Sequence, residues 1–160
     1  MRLRPRSVSS LLAFAFAAAS CGGGGGGDQT TKFIGAWRFS SGQLAATCLG
    51  SPLAPFDLTG GPVTITKVDD GTIMLTLTNT ACMMKFQVSG NQGNAAPNQI
   101  CPLDLGGSLG MQSITITKWT LSLSGDHVDN NITGTASVCM ASGTGVLMRD
   151  TPDSGTGGAD

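Results

Sequence analysis

The chain contains no glutamate and no tyrosine, and its single histidine is His127. Acid–base catalysis needs His, Glu, Asp, Lys, Tyr or Cys held within hydrogen-bond reach of a substrate, so this composition removes several of the usual players. Asp69 and Asp70 precede Gly71 at a predicted hairpin tip, where water keeps both ionised and leaves pKa shifts small. His127 falls in Gly125-Asp126-His127, and Asp126 and Asp129 beside it read as turn and strand-end residues rather than as the orienting carboxylate of a triad. A non-catalytic protein is expected.

Charge is equally scarce, with Asp, Glu, Lys and Arg making up 12% of the residues. Three of the nine Lys+Arg are Arg2, Arg4 and Arg6, so a chain processed after residue 20 keeps six cations against ten aspartates, a net charge of −4. There is no basic stripe to track a phosphate backbone, which excludes nucleic acid as a partner. Coulomb attraction to anionic lipid is excluded for the same reason. Metal signatures are missing too. No Cys-x-x-Cys pair is present to suggest zinc, and Asp126, Asp129, Asn130 and Asn131 lack the alternate spacing and following glycine of a calcium loop. Gly22 to Gly27 have no following lysine and so do not form a phosphate cradle. No cofactor or metal is expected.

Long apolar runs are absent as well. The longest, around Leu11 to Ala17, covers roughly ten residues where about 20 are needed to span hydrocarbon. What surrounds it is informative: three arginines precede it, and Ala18, Ala19, Ser20 and Cys21 follow it. Residues 1–20 with Cys21 resemble a bacterial lipoprotein signal peptide. The resemblance implies cleavage before Cys21 and lipid, including palmitate, on its thiol, with the membrane as a partner through that lipid. Ala18 stands where the family usually has leucine, and Ala18 with Ser20 also fits an ordinary signal peptidase site, which would release a soluble chain. In the family, aspartate after the cysteine retains the protein at the inner membrane. Gly22 occupies that place, which implies the outer membrane.

The glycines after Cys21 continue through Asp28, Gln29, Thr30 and Thr31, the composition of a flexible tether over residues 21–32. Residues 33–150 make one small domain and 151–160 a disordered tail. Within the domain the recurrent signal is period-two alternation in runs rich in Thr, Val, Ile and Leu, which predicts strands. Val63 and Ile65 alternate with threonines up to Asp69-Asp70-Gly71, and Ile73, Leu75 and Leu77 alternate on the return. A second hairpin runs from Met84, Phe86 and Val88 through a Ser89–Asn94 turn to Ile100. A third joins Ser113–Ser124 to Val128–Cys139. Its parity slips between Ile116 and Trp119, which a β-bulge near Lys118 would repair. Trp37 with Phe39 opens the sheet, and Val146 with Met148 ends it. Seven or eight antiparallel strands follow. Sheet edges are sticky, and closing the first strand on the last removes them. The expected fold is a small all-β meander barrel, with a β-sandwich as the alternative.

Setting Cys21 aside leaves four cysteines, suited to two disulfides in an oxidising compartment. Counting seven residues outward along both arms of the second hairpin, from Ser89 and from Asn94, reaches Cys82 and Cys101, so these two pair. Cys48 and Cys139 then remain, and they meet only where the two ends of the sheet come together. The loops from Leu49 to Gly61 and Pro102 to Gly110 lie beside these cysteines. Met83, Met84, Met111, Met140 and Met148 either line an adaptable pocket or, more simply, fill a core poor in aromatics.

Phe33-Ile34-Gly35-Ala36-Trp37 resembles the F-x-G-x-W opening of the first strand in lipocalin-like barrels, and Arg149 stands where that family's closing arginine stacks over the tryptophan. The family's Thr-Asp-Tyr loop motif is missing. The resemblance implies a barrel with Trp37, Phe39 and Arg149 at a pocket or barrel floor. It is shared with small bacterial barrels that inhibit proteases, so it carries an architecture rather than one function. The expectation is a monomeric envelope lipoprotein with a non-catalytic barrel of unknown specific role, for which binding of a small apolar ligand is one reading. The alternatives are a protein-interaction or protease-inhibitor-like module using the two long loops, and a surface protein that only resists proteolysis. Intact-mass analysis of the native protein is expected to show a chain beginning at Cys21 with added diacylglyceryl and acyl mass; a chain beginning elsewhere overturns the leader assignment.

Overall fold

The computed structural model describes residues 28–78, 80–104 and 110–150. The leader 1–20, Cys21 and the tail 151–160 lie outside them. Eleven strand segments form one sheet: β1 (Gly35–Cys48), β2 (Ser51–Pro52), β3 (Phe56–Asp57), β4 (Pro62–Asp69), β5 (Thr72–Leu77), β6 (Met83–Ser89), β7 (Gln92–Ala95), β8 (Ile100–Asp104), β9 (Met111–Ser124), β10 (His127–Ala136) and β11 (Cys139–Arg149). β1 pairs antiparallel with β4 and briefly with β2 and β3, successive strands from β4 to β7 and from β8 to β11 pair antiparallel, β7 and β8 serve in turn as one neighbour of β9, and β11 returns to β1. The result is a closed eight-stranded meander barrel, not a sandwich.

The alternation seen in the sequence is what closes it. Val63 and Ile65 of β4, Ile73 and Leu75 of β5, and Met84 and Phe86 of β6 are buried on one face, while Thr64, Thr66, Met83 and Lys85 point outward. Asp70 and Gly71 make the turn between β4 and β5, with Gly71 at φ +80°, a left-handed conformation that glycine adopts without a Cβ penalty. On β9 the pairing slips so that Thr133 faces Lys118 and Gly134 faces Ile116. Thr117 is the extra residue, and the bulge lets both Ile116 and Trp119 point inward, as the parity change requires. A second bulge at Ser40 does the same on β1, moving burial from Trp37 and Phe39 to Leu44 and Ala46. Trp119 packs edge-on against Phe86, with centroids 5.5 Å apart, and donates its indole N–H to the buried Asn130 carbonyl oxygen.

Three expected details are corrected. The second hairpin turns tightly at Gly90-Asn91, since Ser89 faces Gln92. Its return arm breaks after Ala95, because Pro97 cannot donate a ladder hydrogen bond. The Gln99 amide fills the break: its oxygen accepts from the Lys85 N–H at 2.7 Å, and its NH₂ donates to the Lys85 carbonyl at 2.8 Å. This detour shifts the register by two, which brings Cys82 to Cys101 even though the turn is shorter than expected. The third hairpin's partner ends at Ala136 rather than at Cys139. Ser137 and Val138 turn the chain, and Cys139 begins β11. The tether also ends sooner, since Gln29–Lys32 form a 3-10 turn with Thr30 buried.

Both disulfides form as expected, Cys48–Cys139 with Cα atoms 4.0 Å apart and Cys82–Cys101 with Cα atoms 4.5 Å apart. Cys48 faces Cys139 directly in the β1–β11 ladder. Cross-linking stabilises mainly by restricting the unfolded chain, more for longer loops. Replacing Cys48 and Cys139 together by serine, across a separation of 91 residues, is expected to cost about 4–5 kcal/mol. The same change at Cys82 and Cys101, separated by 19, should cost about 3 kcal/mol. Urea unfolding of the two double variants checks the order.

Candidate functional site at the barrel mouth

The two ends of the barrel differ. At one end are the turns 70–71, 90–91 and 125–126 and the 3-10 turn that enters β1. That end is plugged. Phe33 and Trp37 are fully buried there, and the Trp37 indole N–H donates to the Phe33 carbonyl at 2.7 Å. The Arg149 guanidinium lies 4.5 Å from the Trp37 ring centroid and donates to the carbonyls of Ile34 and Lys32 at 3.1 and 2.7 Å. The stacking implied by the F-x-G-x-W resemblance is therefore present, and at such a site it is worth about 0.5–2 kcal/mol. Gly35 is needed for it, since a Cβ there would meet Arg149 Nη1 at 3.0 Å.

The other end is open because β4 leaves β1 early. Their pairing stops at Arg38 and Pro62, although β1 runs ten residues further, to Cys48. The exposed half of β1 is covered by the loop from Leu49 to Gly61 folding back along it. Leu53, Leu58 and Gly60 donate to the carbonyls of Ala46, Gly42 and Phe39, and β2 and β3 pair briefly. Between this flap and the ends of β5 and β8 lies a groove of about 480 Å³. Its apolar lining comes from Phe39, Leu44, Phe56, Leu58, Leu77 and Leu103, and its polar rim from Asp57, Thr59, Thr80 and Asp104. That volume suits a small ligand. The wall is held by the Cys82–Cys101 bridge, which lies between Thr80 and Leu103 in the chain, and by the Thr80 hydroxyl accepting from the Cys82 N–H at 3.1 Å.

Of the residues singled out in the sequence, Phe39 lines the groove, whereas Trp37 and Arg149 belong to the plug at the far end. No methionine lines it. Met84 is core, and Met83, Met111 and Met140 are exposed. Leu44, Leu58, Leu77 and Leu103 were not singled out. The signal available for one of them was Phe56-Asp57-Leu58 before Gly60-Gly61, a short alternation inside a segment that otherwise reads as loop. His127 begins β10, with Asp126 at 3.5 Å and Asp129 at 4.0 Å. Among the described residues no group of three His, Cys or Asp is placed to hold a metal, and no helix is long and apolar enough to cross a membrane. A second, shallower depression of about 730 Å³ crosses the outer face of β1, β11, β10 and β9, lined by polar groups such as Gln43, Thr144, Asn131 and Thr120.

Comparison with family models, with curated proteins and with solved structures finds no match.

Titration separates the two ends. At the plug, the Asp28 carboxyl is drawn from 3.8 to about 2, first by the Lys67 ammonium, 2.6 Å away, and then by the Thr30 hydroxyl and N–H. Lys67 is correspondingly held protonated by Asp28 and Asp70. At the mouth, the hydroxyl and the N–H of Thr59 lower the Asp57 pKa, the N–H donating at 2.8 Å. A carboxylate whose pKa is lower in the folded state adds stability above its unfolded value, and that stability is lost as pH falls through the folded one. The Asp28 contribution is thus complete above pH 3.8 and vanishes toward about pH 2. Asp28→Asn is expected to lower stability at neutral pH and to flatten the acid limb of a stability–pH curve measured by urea unfolding.

Proposed function

We propose that this chain is an exported envelope protein, lipid-anchored at Cys21, whose barrel takes a small apolar ligand at its mouth and performs no chemistry. The observation that carries the binding reading is the groove: six apolar side chains around about 480 Å³ at the open end of a barrel whose other end is plugged. The anchoring reading rests on residues 1–21, and Gly22 after the cysteine supports the outer membrane. A monomer suffices for both. Exposed Leu49, Val138 and Met140 around the Cys48–Cys139 bridge favour, as a second reading, a protein-interaction face.

Anchor and mouth belong to opposite ends. Asp28 sits at the plugged end, and the seven residues from Cys21 to Gly27 reach at most about 25 Å even when fully extended. β1 has 14 residues, each rising about 3.3 Å; tilted by about 40° it covers some 35 Å of the barrel axis. The tether is too short to lay the mouth on its own bilayer, so the ligand enters from the aqueous side.

Native mass spectrometry of the extracted protein is expected to show a co-purified small molecule. The neutral apolar dye N-phenyl-1-naphthylamine should brighten on binding, and Leu58→Trp, which fills the groove from the flap, should weaken that binding at least tenfold. A bare protein mass together with no dye response overturns the binding reading.

A further inference from the structure

The groove is apolar within but not electrically neutral at its rim. Its lining includes two carboxylates, Asp57 and Asp104, and no lysine or arginine. The whole sequence settles where the cations are. After residue 20 they number six: Lys32, Arg38, Lys67, Lys85, Lys118 and Arg149. Residue 79 and residues 105–109, which lie outside the described residues, are Asn and Leu-Gly-Gly-Ser-Leu and carry no charge. Arg38 reaches the flap from outside the lining: it is bound to Asp150 through Nε and Nη2 and donates Nη1 to the Gly60 carbonyl at 3.1 Å. Lys67 is bound by Asp28 and Asp70, and Arg149 is spent on the plug. No lysine or arginine thus lines the groove to receive an anionic head group, while Asp57 is kept ionised by Thr59.

We infer that the ligand of the mouth is a cationic amphiphile: an apolar body seated among Leu44, Leu58, Leu77 and Leu103, with an ammonium-type head at Asp57 and Asp104. This rests on the apolar-ligand reading above and narrows it. Burial of the body supplies most of the affinity. The carboxylates supply selection, since a fatty acid would place like charges together with no cation between them.

Three probes of equal chain length separate the contributions, each titrated calorimetrically below its micelle concentration into the full mature chain carrying Cys21→Ser to keep it free of detergent. Dodecyltrimethylammonium is expected to bind at least tenfold more tightly than dodecanol, and dodecanoate more weakly than either. Asp57→Asn, which keeps an oxygen to accept from Thr59, should lower the ammonium affinity several-fold and leave dodecanol unchanged. Joining it with Asp104→Asn should bring the ammonium and the alcohol together. Asp126→Asn, at the plugged end, should do nothing, which distinguishes the rim from the overall negative charge. If dodecanol binds but the charged probes bind equally, or if the preference survives both rim substitutions, the cationic head is wrong and the apolar pocket stands. If none of the three binds, the pocket reading falls with it. Circular dichroism of each variant confirms that the sheet is intact.

Discussion

The pairing of β1 with β11 is the constraint on which the rest of the molecule depends. It joins the first strand to the last along the whole length of β1, from Trp37 with Arg149 to Cys48 with Cys139. Without it, both strands would present unpaired N–H and C=O groups, the usual route to edge-to-edge association. The closure is tight because β11 carries almost no bulk on its inner face from Cys139 to Gly145. A Cβ at Gly143 would meet the Gln43 carbonyl at 2.9 Å and the methyl carbons of Ile132 and Leu44 at 3.0 Å, and one at Gly145 would meet the Phe39 ring at 3.0 Å. Small residues on β11 leave room for large ones on β1 and β10, the interdigitation that a close-packed interior requires.

The mouth is a consequence of how that closure is completed on the other side of β1. A strand pairing with β1 along its full length would seal the barrel at both ends. Instead Pro62, which has no N–H to donate, begins β4 against Arg38, and the remaining half of β1 is covered by a chain that follows it without forming a regular strand. Leu53, Leu58 and Gly60 find backbone partners on β1, yet Phe56 and Leu58 are the only large apolar side chains the flap contributes to the groove. A full strand would have placed alternate side chains into the space now left as the groove. The same early departure therefore produces both an irregular wall and an apolar recess.

How much of this was legible depended on side-chain size. Where inward positions carry Val, Ile, Leu or Phe, as in β4, β5 and β6, the period of two stands out and the strands could be read directly. The bulge on β9 was readable for the same reason, because Ile116 and Trp119 are large enough for their change of parity to show. The start of β11 was not. Its inward residues are Cys139, Ala141 and Gly143, whose small size is required by Leu44 and Ile132 opposite and which leave no hydrophobic period to detect. The groove was hidden in another way: Leu44, Leu58, Leu77 and Leu103 come from four separate segments, and only closure of the sheet brings them together. The cysteines offset part of this, since once the second hairpin paired Cys82 with Cys101, requiring Cys48 to reach Cys139 implied a closed sheet.

The distribution of cross-links follows the distribution of hydrogen bonds. Both disulfides are at the open end, where the ladder is interrupted twice: β4 has left β1, and the strand made of β7 and β8 is broken at Pro97. Among the described residues the plugged end has no disulfide; β1 there pairs with both β4 and β11, and the Trp37–Arg149 stack and the Asp28–Lys67 ion pair add to it. A recess needs walls that are not fully paired, and such walls open locally at low free energy. Tying Cys82 to Cys101 fixes the two segments that carry Leu77 and Leu103, and tying Cys48 to Cys139 fixes the strand that carries Leu44. The bridges thus restore rigidity at the places where making a groove has removed hydrogen bonds, so that side chains from separate segments hold one shape for a ligand to meet.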